Sequence, residues 1–439
     1  MTAARSRPAP LPRVLFVCHN HPSFHPGGTE IFAHDLFRHM KDVDGIEAMF
    51  LACTNKVHRE QKPGTNFQTV GRSSDELVLW AGHFDRFYQS QIDLHGIVPD
   101  LSTLLQSFRP DIVHIHHTLL LGVEMLFLIR RVVPQARIVY TLHDYYPICA
   151  NDGQMVTTDG HKLCTGASPD ACHRCFPERT PDKFVLREKH LKSMLSLVDQ
   201  FVSPSHFLRE RYIAWGLPAD RIVVLRNGRP AEDMIAKPAA PLVARGKKPA
   251  RRNVFGYFGN LSPYKGIRVA LEAAKELSKD QDFVLHVHGG MPFQTEDFKA
   301  EIEALSTAAG AKVIRHGAYR RDEMAKLLAA VDWVITPSIW WENAPLVIQE
   351  AFQQRRPVIC SDIGGMAEAV TNGHDGLHFR TGDPADLARV LRRAINETGL
   401  WECLSSNIAR VPTLADSAAE HRALYTDLTT AASLRSSRR

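Results

Sequence analysis

Apolar runs alternate along the chain with stretches in which apolar residues recur at helical spacing. Arg13 to His19 (RVLFVCH) is nearly all apolar, the look of a strand covered on both faces. The same look returns at Glu47–Cys53, Ile112–His116, Arg137–His143, Gln200–Ser203 and Arg221–Arg226. Helical spacing predicts a helix carrying Ile31, Phe32, Leu36, Phe37 and Met40, and further helices over Ile97–Phe108, Leu119–Val132, Lys183–Val198 and Ser205–Trp215. Ser205 is placed to cap the last of these. A second series begins at Asn253. Its strands are read after Asn253 and at Phe283–His288, Lys312–His316, Trp333–Pro337 and Pro357–Cys360. Its helices are read from about Lys265, over Arg321–Ala330, after Pro345, from Gly364, over Asp386–Ile395 and over Ala415–Leu428. Asn372–Phe379 reads as a hairpin-like closing element. Strands alternating with helices argue for an α/β protein with doubly wound parallel sheets.

Two turns stand where a strand hands over to a helix. One is Pro26-Gly27-Gly28-Thr29-Glu30 and the other Gly259-Asn260, followed by Lys265. Glycines let the backbone approach a ligand, and a helix start offers free N–H donors to a phosphate. His143 falls at the carboxyl end of its strand, where open α/β sheets bind ligands. His114 and His116 alternate onto one strand face and read as a buried structural pair. His19, His21 and His25 crowd the first turn and read as solvent-facing or substrate-contacting rather than metal-bound.

The most informative stretch is Ser338 to Asp362, SIWWENAPLVIQEAFQQRRPVICSD. Pro345 is placed for a first helical turn. Glu342 and Glu350 are eight positions apart, which on one helix is roughly 80° of rotation and about 12 Å of rise. This string resembles the donor-site signature of the family 4 retaining glycosyltransferases. The resemblance runs from Arg13 to about Leu428. It implies the GT-B fold, two Rossmann-like domains facing each other across a cleft, with a C-terminal helix crossing back to the first domain. It implies that Glu342, with Asn343 and Ala344 behind it, lies beside the donor sugar, and that Glu350 binds the ribose hydroxyls. It places Gly259, Asn260 and Lys265 at the donor phosphates, the loop of Gly27 and Gly28 at the donor phosphates and the acceptor, and His143 at the donor sugar or reacting centre. Asn260 stands where the family usually has arginine, so the phosphate charge falls to Lys265 or to another cation such as Arg268 or Arg315.

The domain boundaries expected are a disordered lead-in (1–12), an acceptor domain (13–228), an Ala/Pro/Lys/Arg-rich linker (229–252), a donor domain (253–412), the crossing helix (413–430) and a basic tail (431–439). The chain has 439 residues, 44% hydrophobic and 23% charged, with a formal charge of +5. That composition is ordinary for a soluble globular protein. The mild positive excess does not indicate nucleic acid and suits phosphate ligands or an anionic membrane face. No apolar run reaches the roughly 20 residues of a spanning helix, and the N-terminus lacks a secretory core. The expectation is a cytoplasmic protein, with peripheral contact at the inner membrane.

Within a polar insert at 145–181, Cys149, Cys164, Cys172 and Cys175 are spaced C-x14-C-x7-C-x2-C. The closing C-x2-C is a recurrent zinc knuckle. A structural zinc is the leading reading; free thiols, redox pairs and an iron–sulfur cluster stay open. No catalytic metal is expected, as the resembled enzymes generally work without one. The resemblance implies transfer of a sugar from a nucleotide-sugar donor to a hydroxyl of a glycan or lipid-linked acceptor, with retained anomeric configuration, in bacterial surface polysaccharide assembly. Two other readings stand: a nucleotide-sugar-binding or partner subunit of weak activity, favoured by Asn260, and a GT-B phosphorylase.

Overall fold

The computed structural model describes residues 11–159, 162–230, 252–292 and 294–436. Most of the expected lead-in and linker, and the last three residues of the tail, lie outside these residues. The chain divides into two compact units, one comprising residues up to Pro204 with Arg209–Gly228 and the chain from Leu414, the other Ser205–Leu208 with Arg229–Thr413.

The first unit carries strands β1 (Val14–Cys18), β2 (Ala48–Thr54), β3 (Phe67–Thr69), β4 (Glu76–Trp80), β5 (Phe84–Asp85), β6 (Ser90–Gln91), β7 (Ile112–Ile115), β8 (Arg137–Thr141), β9 (Gln200–Ser203) and β10 (Ile222–Val224). Its helices are α1 (Gly28–Asp42), α2 (Leu94–Phe108), α3 (Glu124–Val132), α4 (Pro169–Cys175), α5 (Pro181–Leu195) and most of α6 (His206–Trp215). One sheet runs β10-β9-β8-β7-β1-β2-β4-β3. All its pairs are parallel except β3 with β4. Every residue of β1 is buried, which is why the strand reads as an unbroken apolar run. Ser205 does cap α6, its Oγ accepting from Leu208 N at 3.2 Å.

The second unit carries β11 (Val254–Phe258), β12 (Val284–His288), β13 (Val313–Gly317), β14 (Trp333–Thr336), β15 (Val358–Ser361) and β16 (Gly376–Phe379), with α7 (Ile267–Leu277), α8 (Glu296–Ala309), α9 (Met324–Ala329), α10 (Leu346–Gln353), α11 (Gly364–Ala369), α12 (Pro384–Asn396) and α13 (Leu400–Asn407). Its all-parallel sheet runs β13-β12-β11-β14-β15-β16. Helix α7 buries Ile267, Ala270, Leu271, Ala274 and Leu277, an i, i+3, i+4 stripe that holds it on the sheet. Trp333, fully buried in the same core, is a residue whose truncation costs about 3–5 kcal/mol.

Three expectations change. Helix α3 starts five residues later than its apolar pattern suggests, because Leu120 and Gly122 take φ of 67° and 94°, which no helix accommodates. The closing element is no hairpin: a tight turn in which Gly373 N donates to Gly376 O leads into β16, which pairs parallel with β15. The last helix, α14 (Leu414–Ser436), runs six residues into the stretch read as a tail. It lies in the first unit, with Ala418 and Tyr425 buried in the core under α1.

Candidate active site

In each unit the strand order reverses beside the first strand, and open α/β sheets bind ligands at the carboxyl ends of such strands. In the second unit the reversal lies between β11 and β14. The loop after β11 carries Gly259, Asn260 and Lys265, and the loop after β14 carries Ser338 to Pro345. The two backbones meet directly. A Cβ on Gly266, which has φ of 70°, would lie 1.7 Å from Pro337 O, and one on Gly365 would lie 1.6 Å from Asn343 O. Gly365 N also donates to Glu342 O at 2.7 Å. Three loops are thus locked together at glycines where no side chain fits.

This lock aims Glu342. Its Oε1 accepts from Lys265 Nζ at 2.6 Å, Ser338 Oγ at 2.8 Å and Trp340 Nε1 at 2.8 Å. Glu342 is 7% exposed. Burial works to raise its carboxyl, but the Lys265 charge and the three donors outweigh it and hold the pKa below the ordinary value. Lys265, at the end of a short 3-10 turn (Pro263–Lys265), keeps more than a third of its side chain exposed at the start of α7. Asn260 is exposed.

Glu342 does not sit on the helix. It lies in the loop, Pro345 is the N-cap, and α10 begins at Leu346, so the rotation expected from eight helical positions does not apply. Glu350 is inside α10 and has a different partner, Arg229, which donates to its Oε1. The Arg229 side chain is 3% exposed and that of Glu350 16%. The pair lines a small cavity with Arg321, Met324 and Gln354. Arg268 and Arg315, considered as replacements for the missing arginine, are paired with Glu301 and Glu303 of α8. The partners Arg229, Ser338 and Trp340 were not singled out by sequence reasoning.

In the first unit the order reverses at β1, between β7 and β2. Gly27 caps α1, and Gly28 is its first residue. Glu30 folds back over this turn, so that a Cβ on Gly27 would meet its Oε2 at 2.4 Å. His19 Nε2 lies 2.9 Å from Glu30 Oε1, and Asn20 Nδ2 donates to it at 3.3 Å. Burial opposes the carboxylate, but the bond and charge of His19 prevail and hold the Glu30 pKa at about 2. The mouth of α1 therefore already holds an anion, which suits hydroxyls better than a bare phosphate.

His143 follows β8. Its Nε2 lies 2.9 Å from His116 Nδ1, with the rings stacked at 5.2 Å. Burial, only partly offset by Asp144, lowers the His143 pKa to about 3, so the ring is a neutral imidazole at pH 7. Asp144 pairs with His117 at 2.9 Å. His114 is fully buried, with Nδ1 2.6 Å from Tyr425 Oη and Nε2 2.7 Å from Thr141 Oγ1. It is structural, tying α14 to the sheet.

Cys149, Cys164, Cys172 and Cys175 all line one cavity, with Cys172 and Cys175 on successive turns of α4. None of the four is in a disulfide, and Cys164 Sγ donates to Gly166 O at 3.2 Å. Burial raises the Cys172 thiol to about 11, and the three neighbouring sulfurs add to that. Arg187, 4% exposed, donates beneath them to Phe87 O, Pro147 O and Tyr146 O. Among the described residues the compact three-donor groups are His286/His288/His316 and His21/His34/Glu76; the cysteines form no such group.

Known proteins match both units. The family described as Glycosyltransferase Family 4 matches residues 26–233, and that described as Glycosyl transferases group 1 matches 242–410. The lipopolysaccharide 1,2-N-acetylglucosaminetransferase of Salmonella typhimurium is 28% identical over 51% of this chain and 61% of its own length. The D-inositol 3-phosphate glycosyltransferase of Rhodococcus jostii is 29% identical over 45% and 44%. The chain thus spans less than two thirds of either relative. Among solved structures, Anabaena HepE in complex with UDP and glucose superposes with a TM-score of 0.65 over 94% of this chain and 99% of that one, at 18% identity. Sucrose-phosphate synthase of Thermosynechococcus elongatus gives 0.68 over 95% and 100%, at 17% identity. Two family matches that together run through both α/β units, on a fold shared with these structures, show that the chain is a member of the family 4 glycosyltransferases with the GT-B fold.

Proposed function

We propose that the protein transfers a sugar from a nucleotide-sugar donor to a hydroxyl of a glycan or lipid-linked acceptor, with retained anomeric configuration, in assembly of a bacterial surface polysaccharide. The observation that carries this reading is the Lys265–Glu342 pair at the reversal point of the second sheet. A cation beside a buried, ionised carboxylate, next to the start of α7, offers charge for a diphosphate and an acceptor for a sugar hydroxyl at adjacent points. Lys265 and the N-terminal end of α7 stabilise the charge that develops on the departing phosphate. Glu342, with Asn343 and Ala344 in the same loop, orients the sugar. Glu350 holds the ribose hydroxyls, and Arg229 fixes the position of that carboxylate. Gly259 lets the protein backbone come close to the donor phosphates, to which the Asn260 amide can donate. Gly27, Gly28 and neutral His143 serve the sugar and acceptor. The bond from sugar C1 to phosphate oxygen breaks, a bond from C1 to the acceptor oxygen forms, and the phosphate takes the acceptor proton.

Salmonella and Rhodococcus relatives that build glycans or glycosylate inositol phosphate support the transferase class over a phosphorylase. No helix among the described residues is long and apolar enough to cross a membrane. The positive net charge supports contact with anionic head groups at the cytoplasmic face of the inner membrane. Incubation with UDP-, GDP-, ADP- and CDP-sugars and a lipid-linked acceptor tests the reading, with proton NMR of the product giving its anomeric configuration. An inverted product would overturn the retaining assignment.

A structural zinc in the insert is supported by its donor set, four thiols around one cavity with two of them one helical turn apart, whose sulfurs would have to draw together to hold the ion. Cys149, Cys164, Cys172 and Cys175 would hold the ion, which would cross-link a segment with little apolar core of its own.

A further inference from the structure

Strand β13 is an edge of the second sheet, with β12 beside it. They run parallel, with His286 opposite Ile314 and Val287 opposite Arg315. Alternation therefore puts His286, His288 and His316 on one face, while Leu285 and Val287 enter the core on the other. The three imidazoles converge. His286 Nδ1 lies 2.8 Å from His316 Nε2, the His288 and His316 rings stack at 4.3 Å and 7°, and one nitrogen from each ring lies within 4.8 Å of the others. Phe258 stacks on His288 at 5.0 Å and 3°, which fixes that ring. His288 is 5% exposed, its ring packed between Phe258 and His316.

We propose that His286, His288 and His316 form a binding site for one divalent late first-row transition ion of the zinc class. Three nitrogens with no carboxylate among them select such ions over magnesium or calcium, which require oxygen. Binding exchanges the His286–His316 hydrogen bond for two metal bonds. The ring that donates that bond moves its proton to its other nitrogen, so both present lone pairs and no net proton is released. Three protein ligands leave at least one position open to solvent on the exposed His316 side. The other three-donor group differs, because it is already satisfied. In the first unit Glu76 accepts from His21 and His34 at 3.0 Å each, Arg38 pairs with its second oxygen, and Ser23 N donates to His21 Nδ1.

The site does not depend on the donor reading. Cobalt(II) titration of the full chain, without added histidines, tests it. Cobalt on cysteine thiolates gives sulfur-to-metal charge transfer in the near ultraviolet; cobalt on imidazoles gives visible d–d bands alone. The expected result is one ion that raises the visible bands without charge transfer. His316→Ala, at an exposed position, and His286→Asn should each weaken that ion by roughly tenfold or more, the least that losing even an outer-shell partner costs. Any charge transfer from the thiols should stay unchanged. Absence of an ion free of charge transfer, or unchanged affinity in both variants, would overturn the site.

Discussion

Lys265 Nζ lies 2.6 Å from Glu342 Oε1 although 77 positions separate the two residues. Each unit of positive charge offered to a donor phosphate is therefore shared with a buried carboxylate, and donor binding must draw Lys265 partly away from it. Lys265→Met should abolish measurable sugar transfer and also destabilise the second unit. The destabilisation is about 1–3 kcal/mol, because Glu342 stays buried with only Ser338 and Trp340 as donors. Denaturant unfolding of Lys265→Met and of Lys265→Met/Glu342→Gln checks this: the double variant should recover most of the loss but none of the activity.

The pairing of Arg229 with Glu350 predicts that Glu350→Ala harms more than ribose binding. It strands a guanidinium that is 3% exposed, and breaking a buried pair from one side costs about 3–5 kcal/mol. Glu350→Gln, which keeps an acceptor for Arg229, should stay folded and lose nucleotide affinity. Calorimetric titration with the cognate nucleoside diphosphate distinguishes the two effects; equal affinity in Glu350→Gln and wild type would remove the ribose assignment.

Acid should weaken the first unit before it weakens an ordinary domain. His143 and His421 have folded pKa values lowered to about 3 and about 4 from 6.5. The unfolded chain therefore takes up protons first. Stability is complete above pH 6.5 and is lost as pH falls toward the folded values. The loss is about 1.4 kcal/mol per pH unit for each histidine. Glu30, lowered from 4.5 to about 2, extends the loss below pH 4.5. Unfolding free energies between pH 7 and 5 check it, and His421→Phe should reduce the slope by about one proton.

For the cysteine insert, protein prepared without chelator should carry one thiolate-bound zinc per chain, and Cys172→Ser/Cys175→Ser should lose it. Metal analysis before and after thiol modification reads this number. A folded wild-type chain whose cysteines release no zinc on modification would contradict the assignment.

Gly365→Ala probes the loop lock. Its Cβ would meet Asn343 O at 1.6 Å, so the 342–344 backbone must shift. A displacement of about 1 Å at a positioning group costs roughly 100-fold in rate. The expected outcome is a folded variant with kcat reduced by that order, measured with saturating donor.

Much of this architecture was legible because fully buried parallel strands leave unbroken apolar runs, as β1 and β15 do. Strand β3 was missed because it has three residues between polar turns, and β4 because it opens on the buried carboxylate Glu76, which reads as a surface residue until His21 and His34 are seen beside it. The two glutamates of the donor stretch were legible as a motif, but their geometry was not. Pro345 delays the helix, leaving Glu342 in a loop held by glycines from two other loops. Arg229 carried no signal, since it stands in a stretch without periodicity, 121 positions from its partner. The three converging histidines lie on two separately read strands, and only the register brings them together.

The measurement that tests the central claim most directly is calorimetric titration of wild-type and Lys265→Met protein with uridine, guanosine, adenosine and cytidine diphosphates. The account predicts that one of the four binds wild-type protein, stabilises it by about 2.7 kcal/mol at 100 times its dissociation constant, and fails to bind the variant. No binding by any nucleotide, or binding that Lys265→Met leaves intact, would contradict it.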